Sequence, residues 1–187
     1  MRPRVAATET RSETPASLVS AAAVSQRVRQ LAREADRRFE GTRPLLIGVL
    51  TGAYVFLADL SREMLVAHDV AFVRAGSYGD AATPVADVTL DGVGTAGAAG
   101  RDLLVIEDVL DTGHTLAALL SALRRTGARS LATCVLVVKV RPRQYPIVPD
   151  MVGFVVPPVF VVGYGIDYRG AWRHLPYLGA IDPGNRG

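Results

Sequence analysis

The sequence predicts an α/β fold in which a mostly parallel sheet is covered by helices on both faces. Three observations predict it. Short, nearly continuous apolar runs recur along the chain, the pattern of strands buried on both sides. Segments with apolar residues at helical spacing separate those runs. The clearest unit joins an apolar run at 103–107, a helical stretch over 115–126 and a second run over 131–138, with Gly127 placed to stop the helix. In such sheets ligands bind at the carboxyl ends of the strands. The loops that follow strands are therefore where chemistry is expected.

Taken in order, residues 1–16 are rich in Ala, Thr, Arg and Pro without periodicity and read as a mobile tail, leaving 17–187 as a single domain. Val24, Val28, Leu31 and Ala35 mark one helix face. Leu45–Leu50 reads as a strand, followed by Thr51-Gly52 and a helix over 54–65. A further strand is expected at 70–73. Residues 75–101 hold many Gly, Ala and Asp and read as a long flexible loop with a short strand near 85–90. Such loops often serve as lids. After Lys139 come a Pro/Arg-rich turn at 140–149, apolar runs at 151–156 and 159–162, and a loop-rich tail at 163–187. There is no internal repeat.

The bulk numbers narrow the function. With 187 residues, 49% hydrophobic and 21% charged, the chain can bury a sizeable core and is not disordered. Its net charge of +3 is not gathered into a Lys/Arg run, so nucleic acid is not the expected partner, whereas a polyanionic small substrate suits the balance. No apolar run reaches the ~18 residues of a membrane span. Arg2, Arg4 and Arg11 are not followed by an apolar signal core, and a soluble cytoplasmic protein with no membrane partner is expected. Cys134, the only cysteine, lies inside an apolar run and reads as core. His68, His114 and His174 share no metal or nucleophile spacing, and Trp172 reads as packing or interface. Neither GxxxxGK[ST] nor a GxGxxG turn is present.

The segment 107–115, Glu-Asp-Val-Leu-Asp-Thr-Gly-His-Thr, is the most informative. It joins a buried strand to a helix whose apolar face is Leu116, Leu119, Leu120 and Leu123. Its two adjacent carboxylates suit ribose hydroxyls and hydrated Mg²⁺, which prefers oxygen ligands. The turn and helix start suit a phosphate. An acidic turn capped by Thr112 or Thr115 is the plain structural alternative. A third carboxylate, Asp111, would repel a phosphate and makes sense only if it meets a proton-bearing group.

This segment resembles the phosphoribosyl pyrophosphate (PRPP) motif of type I phosphoribosyltransferases, and further stretches resemble the hypoxanthine-guanine branch. Residues 45–59 are similar to its first strand, pyrophosphate loop and helix, and Ser77-Tyr78-Gly79 to the start of its mobile catalytic loop. Lys139 stands at its base-recognising lysine, Phe160 to Tyr168 at its purine-binding segment, and Arg173 at its late arginine. The similarity covers about residues 40–181.

The resemblance implies a type I phosphoribosyltransferase fold: a central parallel sheet, flanking helices and a small hood made from the chain ends. It implies a purine-salvage pentosyltransferase that joins a 6-oxopurine to PRPP, with Mg²⁺ as cofactor and a homodimer or homotetramer as the working form. Glu107 and Asp108 would hold the ribose diol and Mg²⁺, and Asp111 would be the general base near purine N7. Asp111, Thr112, Gly113, His114 and Thr115 would cradle the 5′-phosphate. Thr51 and Gly52 would face pyrophosphate, and Ser77 and Tyr78 would begin the mobile loop over the substrate, with Tyr78 excluding water. Lys139 would donate to O6, Phe160 would stack on the base, and Val161 backbone would read its edge. Asp167 would help hold a second Mg²⁺ carrying pyrophosphate, and Arg173 would pair with that charge.

The chain departs from the family pattern at Thr51, where Lys or Arg is usual, at Ala71, and at Pro158 and Val159 beside the base segment. Those two make the pocket edge more apolar and keep a modified base such as a 7-deazapurine open. A non-catalytic PRPP-sensing regulator is the other alternative. The stretch before the first strand holds only one good helix, too little for a helix-turn-helix domain.

Overall fold

The computed structural model describes residues 14–77, 88–91 and 97–182. Its elements are β1 (Ala16–Val19), α1 (Ala21–Arg38), β2 (Leu45–Leu50), α2 (Tyr54–Glu63), β3 (Asp69–Ser77), β4 (Val88–Asp91), β5 (Asp102–Leu110), α3 (His114–Arg125), β6 (Ser130–Lys139), β7 (Met151–Val156), β8 (Phe160–Val162) and β9 (Leu178–Ile181).

The main sheet has the order β4-β3-β2-β5-β6-β7. Every pairing in it is parallel except β4 on β3. Strand alternation explains both cores. Leu46, Leu104, Ile106 and Leu136 pack with Val28, Leu31 and Phe56 under α1 and α2. Leu45, Ile47, Leu103, Val105 and Val135 pack with Leu116, Leu119 and Leu123 of α3 on the other face. The near-continuous apolar runs of β2, β5 and β6 are thus strands buried on both faces, whereas β3 and β7 nearer the sheet edges expose Val70, Phe72 and Val155. α1 starts where the Ser20 side chain accepts from the Ala23 N–H at 3.3 Å, and it ends with Arg37 and Arg38, whose charge suits a helix C-terminus.

A second, antiparallel sheet of order β1-β9-β8 forms the hood from both ends of the chain. Here the sequence reading needs correction. Ala16, assigned to the tail, pairs with Ala180, and the Tyr177 hydroxyl donates to Pro15 O at 3.1 Å. Residues 1–13, the rest of that expected tail, lie outside the described residues. The segment expected to be loop-rich contains β9, whose four residues are too few to show a period. β8 begins at Phe160, one residue later than expected. α2 stops at Glu63, two residues early, where the Met64 N–H closes on Leu60 O and leaves Leu65 exposed. β3 runs past Val73 to Ser77 because β4 pairs with its second half, Arg74 to Ser77 against Asp91 to Val88. Much of the expected long loop, including Tyr78, lies outside the described residues.

Candidate active site

The carboxyl ends of β2, β5 and β6 converge with the loop after β8. β5 extends to Leu110, three residues past the end expected at Glu107, so both Glu107 and Asp108 sit inside the strand. The turn Asp111-Thr112-Gly113 then leads into α3 at His114. Gly113 is the N-cap, at φ 83°, and no side chain caps the helix. The plain structural alternative, a turn capped by Thr112 or Thr115, is therefore not what forms; Thr112 Oγ1 accepts only a long bond from the His114 N–H, at 3.4 Å. An uncapped helix start offers its first amides to an anion. Gly113 is required twice over: its φ is left-handed, and a Cβ there would stand 2.6 Å from Tyr145 O.

Glu107 is only 6% exposed, and its Oε2 has no hydrogen-bond partner. Burial first, and then the adjacent Asp108 charge, push its carboxyl well above the usual range. Burial also raises Asp108, against a downward pull from hydrogen bonds and from Arg173. Burying carboxylates side by side is costly without compensation, and such pairs mark functional sites. The loop after β2 presses on Asp108. The Leu50–Thr51 peptide is cis, and a Cβ on Gly52 would fall 1.7 Å from Asp108 Oδ2. Thr51 itself is exposed.

The loop after β8 packs against Gly52 in turn. A Cβ on Gly165 (φ 98°) would meet Gly52 O at 2.4 Å. Arg173 Nη1 donates to Gly165 O at 2.6 Å and its Nη2 pairs with Asp167 Oδ1 at 2.7 Å. Asp167 Oδ2 accepts from the Gly170 N–H at 2.7 Å. Asp108, Gly52, Gly165, Arg173 and Asp167 thus form one contiguous group.

A second group surrounds Asp111. Lys139 Nζ donates to its Oδ2 at 2.7 Å and Arg141 Nη1 to its Oδ1 at 2.8 Å. Burial raises the Asp111 carboxyl, but the Lys139 bond and charge, with those of Arg141, outweigh it and hold it below the usual range. Lys139 Nζ also lies 5.7 Å from the centre of the Phe160 ring. Phe160 meets Tyr168 edge-on at 5.0 Å, and Tyr168 stacks on Trp172 at 6.3 Å. Trp172 therefore packs within the aromatic wall of the site. Val161 is buried and pairs with Ala180 in the hood.

The sequence-expected residues thus fall into two neighbouring groups joined by β5. Ser77 ends β3, and Tyr78 lies outside the described residues. Sequence reasoning missed Arg141, Gly165 and Tyr145, whose ring stacks on His114 at 5.2 Å with planes 9° apart. Arg141 and Tyr145 lie in the Pro/Arg-rich turn after β6 and Gly165 in a loop, where no periodicity marks a functional residue.

For a metal, hard oxygen donors are present in Glu107 and Asp108, one oxygen of Glu107 being unpartnered. Among the described residues no group of three or more metal-ligating side chains forms a cage. That fits Mg²⁺, which binds through one or two carboxylates plus waters and substrate phosphates. Asp167 is already tied to Arg173 and the Gly170 amide.

A cavity of about 700 Å³ at the opposite end of the sheet is lined by Arg38, Arg43, Asp102 and Arg129. Its arginines are ion-paired, Arg38 to Asp150 at 3.1 Å, Arg43 to Asp69 at 2.6 Å and Arg129 to Asp102. It lacks the uncompensated groups of the carboxyl end and is not the candidate site.

The family model described as a phosphoribosyl transferase domain matches residues 16–169. A hypoxanthine phosphoribosyltransferase of Salmonella typhimurium is 37% identical over 166 residues, covering 88% of this chain and 93% of that protein. A hypoxanthine-guanine phosphoribosyltransferase of Bacillus subtilis is also 37% identical, over 89% of this chain and 92% of its own length. The crystal structure of a hypoxanthine-guanine phosphoribosyltransferase from Bacillus anthracis superposes with a TM-score of 0.81 at 32% identity, covering 89% of this chain and 98% of the other. The sheet order, the hood and these likenesses agree: the chain belongs to the hypoxanthine-guanine phosphoribosyltransferase family of type I phosphoribosyltransferases.

Proposed function

We propose that this chain transfers the phosphoribosyl group of PRPP to a 6-oxopurine, giving the nucleoside 5′-monophosphate and pyrophosphate. The observation that carries the reading is Lys139 on Asp111 at 2.7 Å, beside an uncapped helix start and within reach of an aromatic wall. A base N–H acceptor and an O6 donor thus stand side by side.

In this reading a base nitrogen bonds to ribose C1 while the C1–oxygen bond to pyrophosphate breaks. Asp111 takes the proton the base nitrogen gives up. Lys139 donates to O6, and Phe160 supports the ring. The amides at 111–115 hold the 5′-phosphate, while Glu107 and Asp108 take the ribose hydroxyls and the hydration shell of Mg²⁺. Mg²⁺, when bound, supplies charge neutralisation for PRPP and the departing pyrophosphate. Arg173 stands beside Asp108 and adds positive charge on the pyrophosphate side. Thr51, Gly52 and Asp167 line that side, and Ser77 with Tyr78 would close over it. A cytoplasmic homodimer or homotetramer belongs to the same proposal.

The test is a panel of hypoxanthine, guanine, xanthine, adenine and 7-deazapurines with PRPP and Mg²⁺, read by product mass. Hypoxanthine or guanine monophosphate is expected. Product from a 7-deazapurine alone would move the reading to a modified base, and PRPP binding without product would favour a sensor.

A further inference from the structure

Asp111 is gripped through both oxygens by two cations of unequal exposure. The Lys139 side chain is 13% exposed and that of Arg141 46%. Lys139 lies on the enclosed side, near Phe160, and Arg141 on the rim. The segment carrying Arg141 is itself pinned to the turn. Tyr145 N–H donates to Thr112 O at 3.2 Å, and Arg143 Nη2 donates to Lys139 O at 3.0 Å.

An ionised carboxylate offers about four lone-pair sites. Two are taken here, so Asp111 can accept a base N–H only where a partner leaves or a lone pair stays free. Lys139 is the partner with a second task, donation to O6. When it turns to the base, Oδ2 becomes available and Asp111 loses one of its two restraints. An ion pair at the rim contributes little to folding, so the Arg141 contact is not explained as a stabiliser of the chain.

We propose that Arg141 is a positioning residue that holds Asp111 Oδ1, and with it the orientation of the carboxylate, while Lys139 moves from Asp111 Oδ2 to the base carbonyl. This rests on the phosphoribosyl-transfer reading. Arg141 does not touch the reacting atoms; it acts through Asp111.

A double-mutant cycle tests it, with wild type, Arg141→Gln, Asp111→Asn and the double variant assayed with hypoxanthine, PRPP and Mg²⁺. Arg141→Gln should melt with the wild type, lower kcat by roughly 5- to 10-fold and leave the KM for PRPP within about twofold, as for loss of an exposed charged contact. Arg141→Lys should restore most of the turnover. In the Asp111→Asn background the same Gln substitution should cost less than about twofold, because residues acting through one another do not add. Equal losses in both backgrounds, an effect confined to the KM for PRPP, or unchanged kcat would each overturn the role of Arg141. Failure of wild type to form product from any purine would instead overturn the reading beneath it.

Discussion

At the amino end of the main sheet, Asp102 meets Arg129 and Ser130, and Asp69 is shared by Arg43 and Arg101. At the carboxyl end, Glu107 and Asp108 lie side by side, and one Glu107 oxygen has no partner. The same strand, β5, begins in the first environment and runs into the second. The Arg129 bond, helped by Ser130, pulls Asp102 down to about 2, whereas burial pushes Glu107 up. Charge at the amino end is matched within the chain and serves the fold. Charge at the carboxyl end is left over, which is expected where a ligand completes the compensation.

Asp111 lies between these extremes, and its removal should have the largest effect. Asp111→Asn should lower turnover by ~10²–10⁴-fold, the usual span for a lost acid–base group. PRPP binding should survive, since the phosphate cradle proposed at 111–115 relies largely on backbone amides. Near-normal turnover measured at saturating substrate would remove Asp111 from the chemistry.

Lys139 comes next. Lys139→Ala should weaken transfer to 6-oxopurines by ~10- to 150-fold, the equivalent of about 1.5–3 kcal/mol for a charged hydrogen bond. Its effect on PRPP affinity should be small. Comparing 6-oxo and 6-amino bases checks this, and equal losses for both would show a general electrostatic role.

The smallest expected effect is at Thr51, which brings no charge to the loop beside Asp108. Thr51→Lys should tighten PRPP and pyrophosphate binding by ~2- to 10-fold at low salt and less at high salt, because the added attraction is screened. Titrations at two ionic strengths would reveal it. Unchanged affinity would mean that Arg173 or another cation already neutralises the site, or that this loop does not face pyrophosphate.

Much of this was legible in the sequence where the signal is local. The 107–115 segment carries two adjacent acids, a turn and a helix start within nine residues, and β5-α3-β6 follows from periodicity alone. The hood was legible only through resemblance, since β1 and β9 are four residues each and pair across the whole chain. The partners of Asp111 needed the fold. Nothing in 139–145 states that the chain folds back so that Lys139 and Arg141 reach a carboxylate 28 and 30 residues earlier. Gly52 and Gly165 likewise look like loop glycines until Asp108 and Gly52 O are seen where their Cβ atoms would be.

The contrast between the two ends can be measured directly by thermal melts of wild type, Glu107→Gln and Asp102→Asn across pH, with and without PRPP and Mg²⁺. A raised carboxyl favours the fold below its ordinary range, near 4.5 for Glu107, and opposes it as pH rises and the group must ionise. Glu107→Gln should therefore raise the midpoint at neutral pH, by ~2–4 °C for each kcal/mol relieved, and lose that advantage below about pH 4. Asp102 has the opposite sign: its contribution is present above 3.8 and fades as pH falls toward about 2, so Asp102→Asn should lower the midpoint at neutral pH. PRPP with Mg²⁺ should raise the midpoint of wild type and Asp102→Asn but barely move Glu107→Gln. A Glu107→Gln protein that is less stable than wild type at neutral pH yet still stabilised by PRPP and Mg²⁺ would contradict the account.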